Sequence, residues 1–226
     1  MRDSDIQKAK RAAAEKAVFY IQDNMTVGLG TGSTTYYAIQ LIGQKISNGL
    51  KIKGVPTSVA TERLARENNI PLLSEFEQID LTIDGADEVD KHGNLLKGGG
   101  GALTREKIVA ATSQREIIIV DESKLVTHLG KFPWPVEVLL FGWKAVQKKL
   151  QSLGCVPGLR RADDGIFHTD NQNYILDCHF NKIENPEELA QEINNIPGVV
   201  ENGLFVGMTE LVIVGYRDGG VKELQF

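Results

Sequence analysis

The chain has 226 residues but only two cysteines, Cys155 and Cys178, and it has no long apolar segment. Two distant thiols match neither a disulfide framework nor a CxxC metal site, so we expect both to be reduced, as in a cytosolic protein. The absence of any apolar run of about 18 residues excludes a transmembrane helix, and the segment Met1–Ile6 lacks the apolar stretch of a signal peptide. These absences predict a cytoplasmic protein without a membrane partner.

Basic residues are also too few and too scattered for a nucleic-acid-binding protein. Lys and Arg number 25 against 30 Asp and Glu, which gives a net charge of −5, and no long basic cluster occurs. Because contacts to nucleic-acid phosphates need clustered Lys and Arg, we expect no nucleic acid partner. Any anion that this protein binds must therefore be held by a local site, against the overall charge.

The first half of the chain does contain an alternation of strand and helix patterns. Short apolar strands are predicted at Thr26–Leu29, Lys51–Val55, Ile79–Ile83 and Arg115–Val120, with helical segments before and between them. This alternation favours an α/β fold, a Rossmann-like open parallel sheet with helices on both faces.

The segment Lys131–Pro135 interrupts that pattern with two prolines in K-F-P-W-P, which we interpret as a stiff connector between domains. Beyond it the predicted order is βαββαβ, the arrangement of ferredoxin-like α+β domains. We therefore predict a Rossmann-like catalytic domain of residues 1–130 plus 207–226, and a smaller ferredoxin-like domain of residues 131–206.

Unusual residues follow the ends of the predicted strands. In open α/β sheets, ligands bind outside the carboxyl ends of the strands. Gly30–Thr34, Asp84–Asp87 and Lys124 each come after such a strand. We expect the three segments to converge on one edge of the sheet.

The segment Gly30–Thr34 reads G-T-G-S-T and opens a predicted helix. A glycine-rich turn at a helix N-terminus offers N–H groups and the positive end of the helix dipole, which suits a phosphate group. The hydroxyls of Thr31, Ser33 and Thr34 add donors. The spacing matches neither the GxGxxG nor the Walker A fingerprint, and a plain strand-to-helix turn with a hydroxyl N-cap would also explain it.

Asp84 and Asp87 belong to the string D-G-A-D-E, which follows an apolar strand. Paired carboxylates can bind sugar hydroxyls, hold a metal or assist proton transfer, although Asp-Gly is also a common turn dipeptide. A metal site is poorly supported, because no histidine stands at ligand spacing and His92 in K-H-G-N reads as an exposed turn residue.

Four consecutive glycines, Gly98–Gly101, form the most informative segment. Glycine brings no side chain to a core and costs backbone entropy, but it lets main-chain N–H groups approach a ligand closely. Lys97 precedes the run, and Glu106 falls in the first turns of the next predicted helix. The helix dipole favours the charged, proton-accepting carboxylate there, whereas burial opposes it. A cation, exposed backbone N–H groups and carboxylates in one segment suggest an anionic substrate and a reaction that involves proton transfer.

Together these segments resemble the type A family of ribose-5-phosphate isomerases. The resemblance covers essentially the whole chain, and its motifs occur in the family's order: G-T-G-S-T (30–34), D-G-A-D-E (84–88), K-G-G-G-G-A-L-T-R-E-K (97–107), D-E-S-K (121–124), G-K-F-P-W-P-V-E-V (130–138) and I-P-G-V-V (196–200). The string of residues 97–107 is highly specific, whereas G-T-G-S-T alone is not.

The resemblance implies an aldose-ketose isomerase that interconverts D-ribose 5-phosphate and D-ribulose 5-phosphate in the non-oxidative pentose phosphate pathway. By similarity, Glu106 moves a proton between C2 and C1 through a cis-enediolate, and Asp84, Asp87 and Lys97 are the other catalytic residues. The family uses no metal or organic cofactor and forms homodimers or homotetramers. Lys10 is a weaker candidate for a phosphate contact. The substrate-binding residues implied are Thr31, Gly32, Ser33, Thr34, Asp84, Gly85, Ala86, Asp87, Lys97, Gly98, Gly99, Gly100 and Lys124.

Two other functions would use some of the same features. A sugar-phosphate-sensing module, as in transcription regulators with related folds, would keep the phosphate loop but needs no proton acceptor, and no DNA-binding segment precedes residue 1. An isomerase for another sugar phosphate, such as an amino-sugar-phosphate isomerase-deaminase, would need a group that handles the amine. The four histidines offer no obvious one.

Overall fold

A computed structural model describes residues 2–163, 165–180 and 182–226. Its α-helices are α1 (Arg2–Val18), α2 (Thr35–Ser47), α3 (Val59–Glu67), α4 (Leu103–Thr112), α5 (Trp143–Gln151) and α6 (Pro186–Asn194). Its strands are β1 (Thr26–Leu29), β2 (Lys53–Pro56), β3 (Leu81–Asp84), β4 (Glu88–Val89), β5 (Leu95–Leu96), β6 (Glu116–Asp121), β7 (Trp134–Val138), β8 (Val156–Leu159), β9 (Arg161–Ala162), β10 (Gly165–Ile166), β11 (Tyr174–His179), β12 (Val199–Asn202), β13 (Leu204–Phe205), β14 (Leu211–Gly215) and β15 (Val221–Gln225). A 3₁₀ turn covers Glu122–Lys124.

The chain divides into two compact units. The first contains the residues up to Ala86, Arg105–Leu125 and Met208–Phe226, and the second contains Asp87–Thr104 and Val126–Gly207. The second unit thus takes in residues 87–104, which the sequence analysis placed in the first domain. The physical reason is backbone pairing, because β5 pairs with both β4 and β13 in a three-stranded antiparallel sheet.

The first unit is built on a six-stranded sheet in the order β2-β1-β3-β6-β14-β15. All neighbouring strands are parallel except β15, which runs antiparallel to β14. The predicted Rossmann-like parallel sheet is therefore confirmed. The strand order reverses between β1 and β3, and such a switch point leaves a crevice where ligands bind at the carboxyl ends of the strands.

Strands β3, β6 and β14 are buried along their whole length, as expected for parallel strands covered on both faces. One face packs against α1 and α2, where small alanines of α1 allow close approach to the sheet. The core residues shared by these elements include Ala13, Ala14, Ala17, Ala38, Ile39, Ile42, Val27, Leu29, Leu81, Ile83, Ile117, Ile119 and Ile213. Val109 of α4 packs with Val55 and Ile79 in a separate cluster.

The second unit contains a four-stranded antiparallel sheet in the order β12-β7-β11-β8. With α5 between β7 and β8 and α6 between β11 and β12, its connectivity is βαββαβ, which confirms the predicted ferredoxin-like arrangement. Trp134 and Pro135, which we interpreted as part of a connector, lie inside β7. Pro135 fits the first residues of the strand, where its carbonyl still accepts the N–H of Gly203 at 2.9 Å.

Candidate active site

The switch point between β1 and β3 joins two of the segments singled out by sequence. The N–H of Gly30 donates to the carbonyl of Ile83 at 3.0 Å, which extends the pairing of the two strands. The fully buried Asp84 accepts through Oδ1 from the N–H of Thr31 at 3.1 Å and of Gly85 at 2.7 Å. A Cβ at Gly30 would lie 2.1 Å from Asp84 Oδ1, so only glycine permits this approach.

The side chain of Thr31 is anchored by three further hydroxyl groups. Its Oγ1 lies 2.8 Å from the Oγ1 of Thr57, 2.8 Å from the Oγ of Ser58 and 3.0 Å from the Oγ1 of Thr61. The Thr61 hydroxyl also donates to the carbonyl of Gly30 at 3.0 Å. All three partners are buried. Because its N–H and its hydroxyl are both engaged, Thr31 ties the loop to the sheet and to α3.

The G-T-G-S-T loop is only partly open to a ligand, because Thr34 is buried. Gly32 and Ser33 are exposed, and the loop leads directly into α2. The carbonyl of Gly32 accepts the Thr35 hydroxyl at 2.9 Å, which holds the turn at the helix N-terminus. Lys10 of α1 donates through Nζ to the Oγ of Ser33 at 2.9 Å. A cation, a hydroxyl and a helix N-terminus therefore meet at one point, as an anion site requires.

Lys124 lies at the carboxyl end of β6, the neighbour of β3 in the sheet. Its turn is capped by Asp121, whose Oδ1 accepts the N–H of Ser123 at 3.0 Å. Adjacent strands lie about 4.8 Å apart. The segments that follow β1, β3 and β6 therefore start within roughly 10 Å of one another. The starts of the three segments therefore lie at one edge of the sheet, because β1, β3 and β6 are neighbours in it.

Glu106 stands in the first turn of α4 and is only 4% exposed. Val109 and Ala110, three and four residues further on, are also buried, so Glu106 belongs to the inward face of the helix. A buried carboxylate at a helix N-terminus is held close to oriented backbone N–H groups rather than to bulk water. This is a suitable environment for a group that exchanges a proton with a bound substrate.

Within the second unit, Lys97 is almost completely buried, at 2% exposure. Its backbone N–H donates to the carbonyl of Gly203 at 2.9 Å, and its Nζ lies 5.3 Å from the ring centroid of Phe205. A buried ammonium group is costly unless partners compensate its charge, and the aromatic face contributes to that compensation. Lys97 is therefore a buried cation whose backbone and ammonium group both have contacts within the second unit.

The glycine run lies beside Asp87 in the same unit. The N–H of Gly99 donates to Asp87 Oδ2 at 2.8 Å, and a Cβ at Gly99 would lie within 2.9 Å of both carboxylate oxygens. Gly98 and Gly101 have φ values of 99° and 81°, which other residues rarely adopt. Gly99 and Gly100 are exposed. Close approach to Asp87 and left-handed backbone both explain why glycine is required here.

Comparison with known proteins identifies the family to which the chain is similar. The family model of ribose 5-phosphate isomerase A (phosphoriboisomerase A) matches residues 53–219. A ribose-5-phosphate isomerase A of Bacillus mycoides (strain KBAB4) is 53% identical, over 95% of this chain and 98% of that protein. The chain belongs to the ribose 5-phosphate isomerase A family. The resemblance inferred from the motifs is thereby confirmed.

Solved structures of such isomerases share the fold over nearly the whole chain. Ribose 5-phosphate isomerase from Plasmodium falciparum has a TM-score of 0.94 at 44% identity and covers 97% of this chain and 99% of its own. A D-ribose-5-phosphate isomerase in complex with phospho-erythronic acid has a TM-score of 0.95 at 44% identity, with 98% and 99% covered. In the part of this family member that the structure describes, no group of three or more His, Cys, Asp or Glu could hold a metal ion. None of its described helices is long and apolar enough to cross a membrane.

Two features of this ribose 5-phosphate isomerase A family member escaped the sequence analysis. The hydroxyl cluster around Thr31 had a detectable signal, because Ser58 precedes α3 as an N-cap whose Oγ accepts the N–H of Thr61 at 3.0 Å. Arg160 donates to the carbonyls of Gly98 and Gly99. A single arginine in a polar segment carries no comparable signal.

Proposed function

We propose that this chain interconverts D-ribose 5-phosphate and D-ribulose 5-phosphate. The observation that carries the proposal is family membership along nearly the whole chain, combined with a buried carboxylate, Glu106, in the first turn of α4. Proton transfer between adjacent carbons needs one base that accepts from the first carbon and donates to the second. A single protein carboxylate meets that need.

Glu106 takes the proton from C2 of the open-chain aldose, and the electron pair left behind forms the C1–C2 double bond of a cis-enediolate. The same carboxyl group then returns the proton to C1, while the proton of the C2 hydroxyl passes to O1, which leaves the carbonyl at C2. The enediolate is anionic, so the ammonium group of Lys97 and the N–H groups of Gly98–Gly100 stabilise it electrostatically, apart from the N–H of Gly99, which donates to Asp87. A general base contributes about 10²–10⁴-fold to the rate, and positioning and electrostatics supply the remainder.

Asp84 and Asp87 bind the sugar hydroxyls and assist ring opening, with Gly85 and Ala86 between them providing backbone contacts. Both carboxylates are already oriented by main-chain N–H donors, at 2.7–3.1 Å for Asp84 and 2.8 Å for Asp87. Acceptors fixed in this way suit hydroxyl donors, and they do not need to reorganise when substrate binds.

The 5-phosphate is bound by the loop of Thr31, Gly32, Ser33 and Thr34, together with Lys124 and Lys10. The exposed backbone of Gly32 and Ser33 and the contact of Lys10 with Ser33 support this assignment. We also propose that the enzyme needs no metal or organic cofactor, works in the cytoplasm and assembles as a homodimer or homotetramer. Sedimentation equilibrium tests the assembly, and full activity in EDTA tests the metal-free reaction.

Replacement of the proposed base provides the decisive test. Glu106→Gln should abolish conversion of ribose 5-phosphate, measured by the appearance of ribulose 5-phosphate, while substrate binding remains measurable by calorimetry. Glu67→Gln, which removes one exposed carboxylate of α3, is the matched control and should keep wild-type activity. Wild type in D₂O should also incorporate deuterium at C1 of the product.

The other outcomes separate the alternatives. Near wild-type turnover by Glu106→Gln would place the base elsewhere, with Asp84 as the next residue to replace. Binding of ribose 5-phosphate without turnover by the wild-type protein would favour a sensing module. Faster turnover of another sugar phosphate would change the substrate and keep the mechanism.

A further inference from the structure

We propose that Arg160 is a positioning residue that holds the glycine run in the conformation needed to stabilise the enediolate; this inference rests on the proposed function. Arg160 lies between β8 and β9, in the same unit as the run. Its Nη1 donates to the carbonyl of Gly98 at 2.9 Å and to the carbonyl of Gly99 at 3.1 Å. One guanidinium nitrogen thus binds two consecutive carbonyl groups.

The guanidinium group is itself fixed in place. Its Nε donates to Asp177 Oδ2 at 2.9 Å and its Nη2 donates to Oδ1, a bidentate pair on β11. The side chains of Arg160 and Asp177 are only 12% and 22% exposed. The guanidinium carbon also lies 5.7 Å from the ring centroid of Phe167. Bidentate pairing and low exposure leave the guanidinium group little freedom to move.

The two contacts with Arg160, together with the hydrogen bond from the N–H of Gly101 to the carbonyl of Gly98 at 3.0 Å, fix where the N–H groups of the run point. In a trans peptide the carbonyl and the following N–H point in opposite directions. With the carbonyls of Gly98 and Gly99 turned towards Arg160, the N–H groups of Gly99 and Gly100 point away from it. The N–H of Gly99 accordingly reaches Asp87 at 2.8 Å. The N–H of Gly100 is directed to that same side, which we assign to the substrate.

Glycine peptides need such an external constraint more than others do. A glycine backbone has no side chain to limit its φ and ψ angles, so the run alone would sample many orientations of its N–H groups. Donors stabilise a developing charge best when they are oriented before it forms. The guanidinium group supplies that orientation without contact with the substrate, and its charge further polarises the two peptides.

The test compares Arg160→Met with Arg161→Met. Arg161 is the exposed neighbour, so its replacement removes the same charge without touching the glycine run. For Arg160→Met we expect kcat to fall about 100-fold, as for loss of preorganised donors, while KM changes little. Phospho-erythronic acid, whose planar carboxylate imitates the enediolate, should bind more weakly by a similar factor. Inhibition by inorganic phosphate, which probes the Gly30–Thr34 loop, should not change.

Arg160→Lys provides the second variant. Lysine keeps the charge but cannot bind Asp177 bidentately and two carbonyls together, so kcat should recover only in part. Wild-type kcat in a folded Arg160→Met or Arg160→Lys protein would overturn the inference, as would equal losses of affinity for phosphate and phospho-erythronic acid. An inactive wild-type protein would overturn the proposed function instead.

Discussion

One added methyl group at Gly30 should separate activity from folding. In the present backbone, the Cβ of Gly30→Ala would lie 2.1 Å from Oδ1, 2.3 Å from Cγ and 2.6 Å from Cα of Asp84. Real Cβ contacts are essentially never below 3.0 Å. The loop and Asp84 must therefore move apart by about 1 Å, and a displacement of that size can cost about 100-fold in rate.

The cost in stability should be moderate by comparison. Overpacking by a small group costs about 1–3 kcal/mol, and a shift of the G-T-G-S-T loop can relieve part of it. In a chain of this length, 1 kcal/mol corresponds to about 2–4 °C in melting temperature. We expect Gly30→Ala to stay folded at room temperature with kcat/KM reduced about 100-fold.

The assay is steady-state conversion of ribose 5-phosphate, combined with thermal melts monitored by circular dichroism. Gly158→Ala is the control, because the nearest atom to its added Cβ is the Asp177 carbonyl at an ordinary 3.9 Å. Its kcat/KM and melting temperature should equal those of the wild type. If Gly30→Ala retained kcat/KM within about threefold of wild type, the close contact with Asp84 would not matter for catalysis.

Two further predictions concern the first unit. Thr61→Val removes the hydroxyl that bonds the Gly30 carbonyl and Thr31, at a cost of about 1–3 kcal/mol. We expect the KM of Thr61→Val for ribose 5-phosphate to rise several-fold in steady-state kinetics. Thr112→Val on α4 is the control and should keep the wild-type KM. Equal KM values for Thr61→Val and the wild type would contradict the anchoring role of Thr61. The pKa of Glu210 lies below its usual 4.5 because Arg115 donates hydrogen bonds to the carboxylate. The pair therefore stabilises the fold fully above pH 4.5, and this stabilisation is lost as the pH falls through the lowered pKa. Both side chains are substantially exposed, so Glu210→Gln should cost only about 0.5 kcal/mol, or about 1–2 °C, at pH 7. Thermal melts should show the difference between the wild-type and variant melting temperatures shrinking as the pH is lowered from 4.5 through the lowered pKa of Glu210, and a difference that does not change with pH would refute the assignment.

Local sequence signals predicted the elements that position the site. The strand predicted at Thr26–Leu29 coincides with β1, and the G-T-G-S-T loop follows it directly. The apolar string I-I-I-V was recognised as a buried strand and lies inside β6. The short paired strands β4 and β5 were missed, because two-residue strands carry no detectable periodicity.

The two compact units differ from the predicted domains for a related reason. Prolines in Lys131–Pro135 indicated a connector, but Trp134 and Pro135 pair with β11 as part of β7. Whether a proline ends a strand or begins one depends on which partner lies beside it, and that partner, Asp177, is more than forty residues away in the sequence. The grouping of residues 87–104 with the second unit likewise depends on pairing with β13.

Neighbouring residues in the chain already indicated which chemical groups are available for catalysis. These groups could be identified without coordinates, because they are properties of neighbouring residues. They are glycines where a side chain would not fit, a lysine before the glycine run, and carboxylates at strand ends and at a helix start. How those groups are held depends on contacts between residues that are far apart in the chain. Asp84 meets Thr31 across 53 residues, Thr31 meets Thr61 across 30, and Arg160 meets Gly98 across 62. Such contacts depend on strand order and side-chain direction, which no local pattern encodes.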